Sequence, residues 1–504
     1  MRVRFAVLSR DISRFLLVPV GMALLSLPVS MIAQEGFAIA AFAITLLSAA
    51  ALSLLLFWLG QAADHTPLPQ ALVTVALGWT TVAVFGGLPL WLSANFMAAS
   101  MTSAEVPPTV AVFTDPLNAL FEGFSGYTSA GLTMVIQPSN LPVSLQWWRS
   151  FMQWVGGVGI IVLAISLLKL TQNQYELYQA EGRQSQLRLT ITRTVRRIWI
   201  IYTGYTAVSV LLLRILGMTW WESLNHSMSA ISTGGFSITD GSMGSYSAPI
   251  KLAVIGIMIL GAISFNSHDK MISKQQLSAI WRDHQHRLLA ILLLIGSVLV
   301  AVEHHLTTGQ FAWVDSIFQW VSALTTCGFG TQSLQFWSSG NKLLLSLAMV
   351  IGGAAGSTVG GIKLSRLLIL ADTAACRFRR TTLTPRQITI RRINGKPLTP
   401  KQANREIEDA VAIALLWIVS IVLGVLILLR LVPLEYTLSD VIFEVSSALG
   451  SAGLSTGITG ASMHWLGKCV LIVCMWMGRL EIIPVLMLLG APWSYLLTRV
   501  RKLF

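Results

Sequence analysis

The segment Ser322-Ala323-Leu324-Thr325-Thr326-Cys327-Gly328-Phe329 decides the fold, because the chain carries three more like it. They are Ser125-Gly126-Tyr127-Thr128-Ser129-Ala130-Gly131-Leu132, Ser229-Ala230-Ile231-Ser232-Thr233-Gly234-Gly235-Phe236 and Ser447-Ala448-Leu449-Gly450-Ser451-Ala452-Gly453-Leu454. Aligned on Gly131, Gly235, Gly328 and Gly453, each has a serine six residues earlier and a hydroxyl two residues earlier. Thirteen residues before the glycine stand Asn118, Glu222, Asp315 and Asp440, types suited to the first turn of a helix. The apolar runs that follow also align. Each opens with a cation (Arg149, Lys251, Lys342, Lys468) and has a glycine ten residues later (Gly159, Gly261, Gly352, Gly478). Columns shared by four segments are internal repeats, and these determine the architecture before any other feature.

Around the repeated segments lie apolar runs near 14–33, 37–60, 70–95, 148–169, 196–217, 249–267, 287–306, 341–371, 407–431 and 466–491. About 20 apolar residues cross a bilayer as a helix, so ten full spans are expected. The repeated segments are too short to cross and too apolar for exposed loops. Re-entrant half-helices have that character, since irregular backbone survives at membrane depth only where it lines a cavity. The expectation is an all-α polytopic membrane protein. Two N-terminal helices (1–66) precede four copies of span, half-helix with loop, and span, around a pseudo-fourfold axis. The repeats occupy 67–175, 190–269, 284–375 and 406–495, with a basic linker at 376–405 and a tail at 496–504.

Composition agrees. Of the 504 residues 54% are hydrophobic and 11% charged, and mean hydropathy is +0.68. Soluble domains carry about 25% charged residues, so a solvated surface cannot be built. The net charge of +13 suggests nucleic acid only until it is sorted: 28 of the 35 basic residues lie in 1–14, 169–199, 270–287, 363–405 and 499–502. These are alternate loops, the positive-inside pattern, which puts both termini in the cytoplasm and excludes a nucleic-acid partner. The first apolar run follows arginines, as a signal peptide would, but lacks a small-x-small cleavage site and reads as a retained helix. Four cysteines, two of them (Cys469, Cys474) on one helix, make no disulfide framework.

The repeated loops carry the chemistry. Small residues and glycine let the backbone run extended with carbonyls turned inward. Four such strands around an axis make rings of oxygens that replace the hydration shell of a monovalent cation. The expected filter is Thr128, Ser129, Ala130 and Gly131 with Ser232, Thr233, Gly234 and Gly235, then Thr325, Thr326, Cys327 and Gly328 with Gly450, Ser451, Ala452 and Gly453. The half-helices aim their negative C-terminal ends at the centre. At their outer ends Glu222, Asp315 and Asp440 either gather cations or simply cap helices. Five glycines between 352 and 361 should unwind the eighth run, since each costs about 1 kcal/mol in a helix. Arg479, a cation deep in the last span, is a functional residue by default; a salt bridge to Glu481 or a packing contact is the alternative.

The four loops, with Gly356-Ser357-Thr358-Val359-Gly360-Gly361-Ile362-Lys363 and Gly478-Arg479-Leu480-Glu481, resemble the pore subunits of the Trk/Ktr/HKT potassium transporter superfamily, nearest the bacterial Trk type. The resemblance runs from about residue 14 to 495. It implies potassium uptake across a bacterial inner membrane by a protein that is not an enzyme. Glycine at all four filter positions goes with potassium selectivity, and serine in the first repeat with sodium. It implies a gate beneath the filter built from Gly352, Gly353, Gly356, Gly360, Gly361, Lys363 and Arg479. It also implies a homodimer, with a soluble nucleotide-binding regulatory subunit on the cytoplasmic face; nucleotide acts there and not on this chain. Gly450 departs from the pattern, standing where the other loops have Thr128, Ser232 and Thr325.

The remaining features add little. The glycine-rich stretch imitates a phosphate-binding loop, but Ile362 separates its last glycine from Lys363. His284, His286, His304 and His305 read as surface residues, and no cofactor or metal beyond a monovalent cation in the filter is expected. Trp147, Trp148, Trp220, Trp221, Trp313 and Trp465 suit an interfacial belt. The basic segment 377–405 binds anionic lipid, marks the cytoplasmic side or docks the partner. A sodium-permeable transporter, the conducting subunit of an ATP-driven pump and an intramembrane lipid enzyme are the competing classes. The last lacks a Ser/His/Asp or metal-ligand constellation.

Overall fold

A computed structural model describes residues 2–61, 68–101, 105–159, 191–276, 278–382, 392–393, 396–397 and 399–490. It is helical apart from a two-residue antiparallel pair, Arg392–Ile393 with Lys396–Pro397, in the basic linker. Residues 160–190, 383–391 and 491–504 lie outside the described residues, and with them the end of the expected fourth span.

Among the described residues six helices are long and apolar enough to cross a membrane: Phe5–Ile32, Gly36–Leu59, Gln70–Ser100, Thr194–Ile215, His284–Thr308 and Lys401–Leu428. They correspond to six of the ten apolar runs. The eighth run breaks as expected, and the fourth, sixth and tenth differ from the expectation in also stopping short or bending. The helix Val143–Val158 stops at Gly159 (φ +98°), Ala248–Ala262 bends by 100° into Phe265–Ser273, and Ser339–Ile351 stops at Gly352 (φ +71°). Trp465–Arg479 stops before Glu481 and Ile482, both at positive φ.

All four breaks fall at one register, within two residues of the aligned glycines, and in the first and fourth units the helix packs closely just there. A Cβ on Gly156 would sit 2.0 Å from the Tyr127 carbonyl oxygen, and one on Gly478 would sit 1.8 Å from that of Leu449. These two broken helices are thus pressed by their glycines onto the ends of the short helices.

Those short helices are Pro116–Thr128, Trp220–Ile231, Trp313–Leu324 and Leu438–Gly450. Each follows a long helix and precedes a broken one. Thr219 with Glu222 and Thr437 with Asp440 form capping boxes, and the Asp115 carboxylate accepts from the Leu117 N–H. Each pair satisfies N–H groups that a helix start leaves open.

The aligned cations tie one unit to the next. Lys251 pairs with Asp315 at 3.0 Å, Lys342 with Asp440 at 2.6 Å, and Lys468 donates to Asn118 Oδ1 at 2.7 Å. In each case the cation of one unit meets the first-turn residue of the following short helix, and the last returns to the first. Arg149 breaks the pattern. It pairs at 2.7 Å with Glu122 of its own short helix, donates to the Ser237 carbonyl at 3.2 Å and lies over the Phe236 ring. It therefore still joins the first unit to the second, at a deeper level.

Removing one partner of a buried pair strands the other charge, at about 3 kcal/mol, whereas partly exposed pairs contribute about 1 kcal/mol or less. The Lys342–Asp440 side chains are 6% and 7% exposed, those of Lys251–Asp315 13% and 22%. Lys342→Ala is therefore expected to lower the melting temperature of the detergent-purified protein well beyond Lys251→Ala. Equal losses would contradict the assignment.

Candidate functional site

The four short helices end alike. The N–H groups of Ala130, Gly234, Cys327 and Ala452 donate to the carbonyls of Ser125, Ser229, Ser322 and Ser447 at 2.8–2.9 Å. Those of Ser129, Thr233, Thr326 and Ser451 donate to Gly126, Ala230, Ala323 and Ala448. This is the Schellman arrangement, which satisfies the last helical carbonyls and needs a left-handed residue after the helix. Glycine usually fills that position; here Ser129, Thr233, Thr326 and Ser451 do, at φ +47° to +55°. Left-handed backbone costs a non-glycine residue about 1–2 kcal/mol, so the site holds this conformation against its own preference.

Two residues on, the aligned glycines take φ +79°, +80°, +92° and +85°. A Cβ on Gly131 would lie 2.4 Å from the Gly234 carbonyl oxygen, and one on Gly235 would lie 2.2 Å from that of Cys327. From Gly328 the distance is 2.1 Å to the Ala452 oxygen, and from Gly453 2.4 Å to that of Ala130. Each glycine thus faces the carbonyl that precedes the glycine of the next loop, and the cycle closes after four. Glycine is required twice over, for conformation and for space.

The hydroxyls one position before the left-handed residues turn back into their own helices. Thr128, Ser232 and Thr325 donate to the carbonyls of Phe124, Ser229 and Val321. Gly450 has no such hydroxyl because there is no room. A Cβ there would sit 2.6 Å from the Met349 oxygen, and one on Gly360 would sit 2.0 Å from the Gly450 oxygen.

Gly360 belongs to the segment from Gly352 to Lys363, which lies directly against the loops. Its backbone N–H donates to Thr326 Oγ1 at 2.8 Å. Thr358 donates from Oγ1 to the Gly261 carbonyl at 3.0 Å and to that of Ile231 at 3.3 Å, and receives a hydrogen bond from Thr233 Oγ1. Further bonds join Ala354 N to the Ala262 oxygen, Phe265 N to the Gly356 oxygen and Ala355 N to Gln285 Oε1. The segment is therefore fastened to the bend after Ala262. Lys363, at φ +80°, turns its ammonium back onto the Val359 carbonyl.

Arg479 closes this assembly. Its guanidinium donates to the Thr358 and Gly157 carbonyls at 2.9 Å each and also to that of Gly156, and lies 5.6 Å from the Trp79 ring. It links the glycine-rich segment to the first broken helix. The alternative partner, Glu481, instead accepts from Arg366 on the helix Leu364–Thr382.

Of the two roles open to the outer acids, capping is present at Glu222 and Asp440, and all three acids have partners. Asp315 and Asp440 hold lysines, and Glu222 caps its helix and accepts from the Tyr246 hydroxyl. His286 and His304 are buried, not on the surface as read: His286 accepts from the Ser264 N–H and His304 packs on Trp337. Among the described residues no group of His, Cys, Asp or Glu is placed to hold a metal.

One set of residues escaped the sequence reading. Nine positions before each aligned glycine stand Glu122, His226, Gln319 and Glu444, all 0% exposed. Each reaches across to the non-helical segment that follows its own glycine. Glu122 accepts from Thr133 and the Met134 N–H, His226 contacts Ser237 Oγ at 3.1 Å, and Gln319 donates to the Gln332 carbonyl at 3.3 Å. Glu444 accepts from Ser455, Thr456 and Thr459. The column shares a task, not a residue type; the only signal was its regular offset.

A helical membrane protein with four backbone loops meeting in a closed cycle is built to bring carbonyl oxygens together. A family model described as "TrkH: Cation transport protein" matches residues 38–491, and the chain belongs to that family. It is 32% identical to the "Uncharacterized cation transporter MJ1485" of Methanocaldococcus jannaschii over 86% of this chain and 85% of that one. It is 31% identical to the "Trk system potassium uptake protein TrkH" of Vibrio parahaemolyticus, over 82% and 84% respectively. The crystal structure of the potassium transporter TrkH from Vibrio parahaemolyticus superposes with a TM-score of 0.77 at 26% identity, covering 95% of this chain and 98% of that one.

Gly235 and Gly309 separate the two demands on glycine, since both have positive φ but nothing lies within 4 Å of a Cβ on Gly309. Gly309→Ala is expected to lose only the conformational cost, about 1–2 kcal/mol. Gly235→Ala must also displace the Cys327 carbonyl and should melt several degrees lower than Gly309→Ala. Equal melting temperatures would show that crowding at the loop cycle is absent.

Proposed function

We propose that this chain mediates potassium uptake through the four loops. The observation that carries the proposal is the closed cycle in which each glycine faces the carbonyl before the next. The relatives named as Trk system potassium uptake proteins support the same reading. In it, the units are four repeats around a pseudo-fourfold axis along the membrane normal. The carbonyls of Ala130, Gly234, Cys327 and Ala452 replace water around a dehydrated potassium ion, helped by the negative ends of four short helices. Gly131, Gly235, Gly328 and Gly453 keep that ring free of side chains. The outer ion pairs keep its circumference constant.

Beneath the ring, Thr358 and the Arg479 guanidinium occupy the path in this reading. A fixed positive charge in a low-dielectric channel opposes a passing cation, so the glycine-rich segment and Arg479 together form the gate. Opening requires the hydrogen bonds from Thr358 to Ile231 and Gly261, and from Arg479 to Thr358, to be given up. The segment Leu364–Thr382 follows the gate directly and carries Arg366 against Glu481, so displacement of that helix would move both halves. A soluble nucleotide-binding regulatory subunit, docked on the cytoplasmic side of a homodimer, is the source of that displacement. The chain crosses a bacterial inner membrane ten times with both termini in the cytoplasm. Uptake follows the membrane potential, about 2.3 kcal/mol per charge for each 100 mV.

Two experiments test this reading in cells lacking their own potassium uptake. With wild type, rubidium uptake should resist excess sodium, and Gly131→Ser should let sodium compete, at an expected tenfold or so loss of discrimination, about 1.4 kcal/mol. Unchanged discrimination in Gly131→Ser would refute the filter assignment. Arg479→Gln should raise basal uptake when the regulatory subunit is absent; uptake equal to wild type would remove Arg479 from the gate.

A further inference from the structure

The four buried side chains nine residues before the glycines differ in charge. Glu122 is neutralised by Arg149 at 2.7 Å. His226 and Gln319 brace the segments after their glycines through hydrogen bonds with neutral groups. Glu444 is a carboxylate, 0% exposed, whose partners are the N–H groups of Thr456 and Thr459 at 3.1 Å and the hydroxyls of Ser455, Thr456 and Thr459. Both oxygens receive a backbone N–H, a donor that cannot reverse. Such an arrangement is made for an anion. Among the described residues no lysine, arginine or histidine forms an ion pair with it.

An ionised carboxylate buried without a cation is costly unless a counter-charge is near. Glu444 stands on the helix Leu438–Gly450, which ends in the fourth loop, and faces the non-helical segment that leaves Gly453. Among the described residues the one lysine paired with this helix, Lys342, is held by Asp440, one turn before Glu444, and the loop that continues the helix is where the proposed function places a cation. We propose that Glu444 is a specificity-determining residue of the cation path: a buried carboxylate, unpaired within the protein, whose counter-charge is the dehydrated monovalent cation held by the adjoining loop. The inference rests on the reading of these loops as the cation filter. It makes the filter electrostatically unequal. The fourth loop contributes a full negative charge behind its backbone, the first a neutral pair, and the second and third hydrogen bonds alone.

The test compares wild type, Glu444→Gln and Glu444→Asp by rubidium uptake in cells lacking other potassium uptake. It also follows thermal unfolding of the purified chains in detergent against potassium, with choline holding ionic strength constant. Glu444→Gln is expected to raise the rubidium KM, and the potassium concentration giving half-maximal stabilisation, by about tenfold, the scale of one unit charge acting through a partly polar interior. Glu444→Asp keeps the charge and loses reach, so its KM should stay within about threefold of wild type. A purely structural brace predicts that Glu444→Asp fails as well, because aspartate is too short to reach the Thr456 and Thr459 N–H groups together. Wild-type values in Glu444→Gln would overturn the proposal. Should Glu444→Gln yield no folded protein, Glu444→Asp decides: a KM within about threefold supports a charge role and a tenfold rise overturns it. A wild-type chain with neither rubidium uptake nor potassium-dependent stabilisation would instead defeat the filter reading itself, and this proposal with it.

Discussion

Everything in this structure depends on a backbone constraint. At the end of each short helix the chain must leave the helix through a left-handed Ser or Thr and then, two residues later, turn again through a glycine of positive φ. Only that path lets the backbone of one loop pass within contact of a carbonyl in the next. Neither turn is cheap for an L-residue, and four copies of it persist because the surroundings over-determine them. Schellman bonds hold each loop from within, the buried column Glu122, His226, Gln319 and Glu444 holds it from behind, and neighbouring carbonyls leave no space in front. The small residues of the broken helices follow from the same demand, since Gly156 and Gly478 let those helices reach the loop ends.

The charges play a complementary part. In a chain with so few ionisable groups, the aligned cations form a girdle, each lysine reaching the next short helix and Lys468 returning to Asn118. Arg149 departs from the girdle and spends its charge on Glu122, deeper and against the second loop. That substitution separates the four loops into unlike partners. A pore from four identical chains would have no route to such inequality, whereas four units in one chain can diverge one by one. The contacts of Arg479 show the same freedom: one unit supplies the glycine-rich segment, another supplies Arg479, and the first supplies the Gly156 and Gly157 carbonyls that receive it.

Much of this was legible in the sequence because the constraint acts on residue type. Positive φ and close carbonyls favour glycine at 131, 235, 328 and 453, and small or hydroxyl-bearing residues precede them, so the columns stand out against an apolar background. Gly352–Gly361 announced its break by composition. The breaks after Val158, Ala262 and Arg479 were hidden, since one glycine in an apolar run looks like ordinary helix and the reason for stopping lies on a distant loop. The pairing of Asp315 and Asp440 was hidden too: their helix-start positions were readable, but not the lysines opposite, which come from another unit. Glu122, His226, Gln319 and Glu444 perform one task with three residue types, and alignment by identity passes over them.

The central claim is that four carbonyls, those of Ala130, Gly234, Cys327 and Ala452, form the inner surface on which a cation sits. A crystal structure of the purified chain in rubidium, with anomalous diffraction collected at the rubidium edge, tests it most directly. The account predicts an anomalous peak enclosed by those four oxygens. Anomalous density confined to the exposed acids, with none inside the cycle, would contradict it.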